Sequence, residues 1–97
     1  MRFEFTAPLW EWASQGGWYF VTVPEEASED IREIPRPPRG FGSVRVRVSV
    51  GGSTWTTSVF PDSKVGCYIL PMKKAVRVAE GLVEGGDVPV SLTVLDL

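Results

Sequence analysis

Residues 43–59 have the sequence SVRVRVSVGGSTWTTSV, and this stretch decides the fold. Four valines alternate with serine and arginine from residue 43 to residue 50, which predicts a strand with its valines facing a core and Arg45 and Arg47 facing away. Gly51-Gly52 has the length and composition of a two-residue hairpin turn. The turn fixes the register of the hairpin, in which Val50 opposes Ser53, Val48 opposes Trp55, Val46 opposes Thr57 and Val44 opposes Val59.

A second pattern occurs twice along the chain: a strand, a proline, a helix, a glycine-containing turn and another strand. The first copy comprises a strand over Trp18–Val23, a helix from Pro24 to Ile34, the turn Gly40-Phe41-Gly42 and the strand from Ser43. Pro35, Pro37 and Pro38 end its helix and stiffen the loop 35–39. The second copy comprises Cys67–Pro71, a helix over Met72–Glu80, a turn over 84–87 and a strand over Val88–Leu95.

This repeat predicts the architecture of the whole chain. Six or seven short strands with two brief helices favour a mainly β, closed or nearly closed barrel with a pseudo-twofold internal repeat. The 97 residues suffice for one domain, residues 1–97, with one modest core. Because one chain carries both halves, we expect a self-contained monomer.

The composition narrows the possible chemistry. There is no histidine, which removes the commonest general base and zinc ligand together. The single cysteine, Cys67, cannot form an intramolecular disulfide and fits a reducing cytoplasm. No phosphate-loop, dinucleotide, zinc or nucleophile-elbow motif occurs, so we predict no cofactor, no metal site and no catalytic residue. No apolar run approaches the roughly 18 residues that cross a bilayer, so no membrane partner is expected.

Three strings resemble a known family, the domain of unknown function DUF1905: residues 40–46 (GFGSVRV), 51–61 (GGSTWTTSVFP) and 68–77 (YILPMKKAVR). With Trp18, Phe20, Val23, Pro24, Gly86 and Asp87 they span nearly the whole chain. The resemblance implies a bacterial double-split β-barrel, related in fold to the half-barrels of AbrB/MazE-type proteins. It implies no established activity. Some relatives carry a second, C-terminal domain of the bacteriocin-protection type, which we do not expect in this chain.

The strongest candidate site is Lys73, Lys74 and Arg77. If a helix starts near Met72, both lysines lie in its first turn, and Arg77 shares their face. Cations beside the unpaired N–H groups of a first turn suit phosphate or carboxylate. The alternative is a solvated surface whose charge is offset by nearby acids.

Two further sets of residues are candidates. Arg45 and Arg47 lie beside Thr56 and Ser58 on one strand face, where they predict either an anion-binding surface or simply a soluble outer face. Trp18, Tyr68 and Trp55 are candidates for lining a cleft, with packing in the core or at its rim as the alternative.

The sequence favours a non-enzymatic binding module for an anionic small molecule or an acidic protein segment. One alternative is a nucleic-acid-binding regulator of AbrB-like type, although a pI near 5.0 and a net charge of −2 are poor for duplex binding. The other alternative is a histidine-independent enzyme with a barrel pocket, which would use residues such as Lys73 and Tyr68.

Overall fold

The computed structural model describes residues 1–35 and 42–95 and shows six strands and two short helices. In chain order they are β1 (Arg2–Glu11), β2 (Tyr19–Thr22), α1 (Glu25–Glu33), β3 (Val44–Val50), β4 (Ser53–Asp62), β5 (Cys67–Pro71), α2 (Lys74–Ala79) and β6 (Asp87–Val94). Most of the predicted loop 35–39 and the predicted turn at Gly40-Phe41 lie outside the described residues. Within the described part of the chain, neither helix is long and apolar enough to cross a membrane.

The strands form one closed barrel in the order β1-β2-β5-β4-β3-β6, which confirms the predicted mainly β barrel with two helices. Two long strands, β1 and β4, each pair with one neighbour over their first part and with another over their last part, and so close the barrel. The strand β1 pairs with β6 up to Pro8 and with β2 from Leu9 onward. The strand β4 pairs with β3 over Ser53–Val59 and with β5 from Phe60 onward.

The predicted hairpin is confirmed residue by residue. Val50 pairs with Ser53, Val48 with Trp55, Val46 with Thr57 and Val44 with Val59. The turn residue Gly51 has φ +57°, the left-handed conformation that a primed two-residue turn requires. The side chain of Glu80 holds the turn from outside: its Oε1 accepts a hydrogen bond from Gly52 N–H at 3.3 Å, and its Oε2 accepts one from the Ser53 hydroxyl at 2.6 Å.

The internal repeat is visible where β2 and β5 meet. These strands run antiparallel with Val21 opposite Leu70. One backbone bond flanks the pair on each side, from Val23 N–H to the Tyr68 carbonyl and from Met72 N–H to the Tyr19 carbonyl, both at 2.9 Å. Each strand then leads into a helix, α1 or α2, one in each half of the barrel.

The helix after β5 is shorter than predicted. The sequence pattern placed its start at Met72, but the first helical residue is Lys74, with Lys73 as the N-cap. The reason is tertiary, since Met72 N–H is committed to β2 and its side chain is buried in the core. The structural counterpart of Pro24 at the start of α1 is therefore Lys73 and not Pro71.

The core fills the barrel with the inward-facing side chains of all six strands. The four valines of β3 are at most 2% exposed, and Leu92 of β6 is fully buried beside them. From α1, Ala27, Ile31 and Ile34 join the same cluster. Burial of each such side chain stabilises the fold by about 1.5–3 kcal/mol before the cost of chain entropy is counted.

Candidate functional site

A cleft opens in the barrel where β4 and β5 separate. The two strands are paired only over Phe60–Asp62 and Cys67–Ile69. Beyond this point β4 continues toward the hairpin turn while β5 stays with β2, and the junction of β5 with α2 lies across the gap. The N–H of Met72 anchors this junction by bonding to the Tyr19 carbonyl of β2, and the Glu80 carboxylate at the other end of α2 bonds to the hairpin turn.

The cleft has a volume of about 430 Å³, within the usual range of small-ligand sites. We call it the basic aromatic cleft and define it by Trp18, Tyr19, Trp55, Lys73, Lys74 and Arg77. No aspartate or glutamate is among the described residues that line it. The structure therefore brings together five of the residues that the sequence singled out, from β4, the β5–α2 junction and the turn before β2.

The three cations of the cleft lack internal counter-charges. Lys73 and Lys74 are exposed, Arg77 is half-buried, and none makes an ion pair within 4 Å with another described residue. The helix α2 has only six residues, so the positive charge at the cleft is that of these side chains and not of a helix dipole. Three uncompensated cations around one concavity form a surface that attracts anions.

Arg77 is the best-positioned cation of the three. Its guanidinium carbon lies 4.1 Å from the centroid of the Tyr19 ring, a cation–π contact, and its Nε donates a hydrogen bond of 3.0 Å to the Met72 carbonyl. Its two terminal nitrogens make no hydrogen bond to any described residue. A guanidinium held in this way can present its remaining donors as a fork to a carboxylate or phosphate.

The other candidates lie elsewhere. Tyr68 does not line the cleft, because it is 3% exposed and packs in the core, with the Arg32 guanidinium 5.9 Å from its ring centroid. Arg45 and Arg47 lie on the outer face of β3, opposite Ser58 and Thr56, and do not line the cleft.

Sequence reasoning missed Tyr19, and it left Thr57 unexplained. Thr57 occupies a core-facing position among valines, where a hydroxyl needs a partner. The structure shows it half-buried at the cleft, so that position opens to solvent. Thr57 interrupts a run of inward-facing apolar residues, and this polar interruption was the sequence signal that the barrel wall opens here.

A second concavity of about 490 Å³ lies on the outer face of β2, β5 and β4. Trp12, Trp18 and Phe60 line it and are 38%, 55% and 39% exposed. Trp12 is held by Phe20, with ring centroids 5.3 Å apart. Asp62 and Lys64 both line this aromatic groove, so it shows no preference for one sign of charge. Trp18 and Pro71 border both concavities.

Among the described residues, no three or more acidic or cysteine side chains are grouped so that they could hold a metal ion. The cleft offers cations, indole and phenol rings, and threonine hydroxyls. This set suits recognition of an anion rather than coordination of a cation.

The closed six-strand barrel with two short helices and a split between β4 and β5 places the chain in the class of small split β-barrel proteins. A family model described as "Domain of unknown function (DUF1905)" matches residues 5–92. The chain belongs to this family, as the three sequence strings indicated. No curated protein matches the chain.

Proposed function

We propose that this protein is a non-enzymatic binding module that takes up an anionic ligand in the basic aromatic cleft. The observation that carries this proposal is the convergence of Lys73, Lys74 and Arg77 on one concavity that no carboxylate lines. Cations on an ordinary protein surface are interspersed with acids, and this chain has more acids than bases overall. The absence of acidic side chains among the described lining residues of this cleft favours a ligand that supplies the negative charge.

The aromatic residues of the cleft support the same function. Trp18 in the turn before β2 and Trp55 on β4 approach the cations from two sides and give the ligand apolar surface beside its charge. Partial removal of water by these rings strengthens each charge–charge contact, because the local dielectric falls. The ligand is an anionic small molecule or an acidic protein segment, since both combine a carboxylate or phosphate with less polar groups.

A thermal-shift screen tests the proposal. Wild-type protein is heated with phosphorylated and carboxylated metabolites, a peptide rich in glutamate, and duplex DNA, and the screen is repeated with Lys73→Ala/Lys74→Ala. At 100 times its Kd a ligand stabilises the folded state by about 2.7 kcal/mol, which for a domain of this size raises the melting temperature by roughly 10–20 °C. We expect at least one anion to raise the melting temperature of the wild type and not that of the variant.

The matched control is Arg45→Ala/Arg47→Ala, which removes the same amount of charge from the outer face of β3. It should respond to the ligand as the wild type does. Equal shifts in all three proteins would show that the cleft is not the site. If only Arg45→Ala/Arg47→Ala loses the response, the ligand binds at the outer face of β3. If duplex DNA alone stabilises the protein, and does so in a salt-dependent way, the nucleic-acid-binding alternative is favoured.

A further inference from the structure

At the cleft, one side of the β4 backbone bonds to no described residue. In an antiparallel pair, alternate residues of a strand point their N–H and C=O groups to opposite sides. The N–H of Leu95 donates to the Arg45 carbonyl at 2.9 Å, so the odd-numbered residues of β3 bond to the β6 side. The even-numbered residues of β3 therefore bond to β4, where their partners are Ser53, Trp55, Thr57 and Val59.

It follows that Thr54 and Thr56 point their backbone N–H and C=O groups away from β3, toward the gap left by β5. Both residues are exposed, and Thr56 lines the basic aromatic cleft. Neither makes a backbone hydrogen bond to a described residue on that side. A strand edge with unpaired groups is a template for an additional strand.

The other half of the barrel provides an internal comparison. There β1 separates from β2 as β4 does from β5, since β1 and β2 are paired only over Leu9–Glu11 and Tyr19–Val21. The corresponding edge of β1 carries Glu4 and Pro8, and a charge and a proline are the usual means of preventing strand addition. The edge of β4 carries threonines at Thr54 and Thr56 instead, and the three cations lie beside it.

We propose that the ligand of the basic aromatic cleft is an extended acidic segment of another protein, which pairs with the free edge of β4. This inference rests on the proposed function and names its ligand. Main-chain bonds to Thr54 and Thr56 hold the segment, as in other cases of strand addition. Because alternate side chains of a strand face the same way, carboxylates at alternate positions reach Lys73, Lys74 and Arg77.

Charge selects this occupant over a second copy of the protein. Two β4 edges approaching each other would bring six cations together, and like charges suppress such pairing. The free edge from Thr54 to Ser58 is about 14 Å long at 3.4 Å per residue, which matches a segment of roughly five residues.

Calorimetric titration with the unlabelled peptide Glu-Val-Glu-Val-Glu-Val, capped at both ends, tests this inference, with citrate as the free-anion probe. We expect the peptide to bind, and its analogue N-methylated at alternate amides to bind about tenfold or more weakly, because N-methylation removes main-chain donors and leaves the charge unchanged. Citrate should bind to the wild type and not to Lys73→Ala/Lys74→Ala.

Protein variants test the edge from the other side. Thr56→Pro removes the N–H that faces the cleft and spares the bonds to β3, whereas Thr56→Val keeps the N–H and serves as its control. We expect Thr56→Pro to bind the peptide about tenfold more weakly than Thr56→Val does and to bind citrate as well as Thr56→Val does, which also shows that it is folded.

The outcomes separate the two proposals. If citrate binds at the lysines and neither N-methylation nor Thr56→Pro weakens the peptide, the strand-addition inference is wrong and the proposed function stands. If neither the peptide nor any anion of the thermal-shift screen binds to the wild type, both are wrong.

Discussion

The charge of the basic aromatic cleft has a consequence for stability when no ligand is present. Lys74 and Arg77 are three residues apart in α2, on one face, and Lys73 lies beside the same cleft. Each like-charge pair at such spacing costs about 0.2–0.5 kcal/mol. Replacement of Lys74 by Gln removes one such pair, that with Arg77, and the helix propensities of Lys and Gln are nearly equal. We therefore expect Lys74→Gln to increase the free energy of unfolding by about 0.2–0.5 kcal/mol, roughly 1–4 °C in Tm.

The measurement is thermal unfolding without ligand in low salt and in 1 M NaCl, where charges are screened beyond about 3 Å. The gain should appear in low salt and largely vanish in high salt. The control is Lys64→Gln, an exposed lysine in the β4–β5 turn that does not line the basic aromatic cleft, whose effect on stability should be nearly the same in low and high salt. A loss of stability in Lys74→Gln, or a gain that persists in high salt, would refute the view that the cleft holds uncompensated charge.

Three further substitutions test the barrel itself, with urea unfolding as the measurement. Leu92→Ala empties a fully buried position and should cost about 2–5 kcal/mol; a cost below 1 kcal/mol would contradict the packed core. Gly51→Ala forces φ +57° on a residue with a Cβ that would overlap the Glu80 carboxylate, so it should cost about 1–2 kcal/mol and clearly more than Gly52→Ala. Ser28→Ala deletes a buried hydroxyl that bridges two backbone groups, so we expect a loss of about 1–3 kcal/mol, and a neutral effect would argue against that bridge.

The hairpin could be predicted in full from the sequence because its information is local. A two-residue turn fixes the register, and the alternation of valines fixes which face is buried, so no distant residue has to be known.

The cleft could be predicted only in part, because it depends on pairings between distant segments. The cations Lys73, Lys74 and Arg77 could be identified as candidates because they are three basic residues close together in the sequence. The residues that face them across the cleft could not be identified, since periodicity cannot show that β5 separates from β4 after Ile69. The same limit explains Tyr68: alternation places it on a strand, but only the packing of the closed barrel shows that it faces the core.

The first strand begins beside the end of the last one. Val94 N–H donates to the Met1 carbonyl at 2.9 Å, so the first residue and the end of β6 are direct neighbours. A short linker could therefore join these ends, and the chain could be reopened between Gly51 and Gly52 at the far end of the hairpin. Such a permuted protein would carry the two halves in reversed order around an unchanged barrel, a rearrangement that the near-twofold architecture makes geometrically simple.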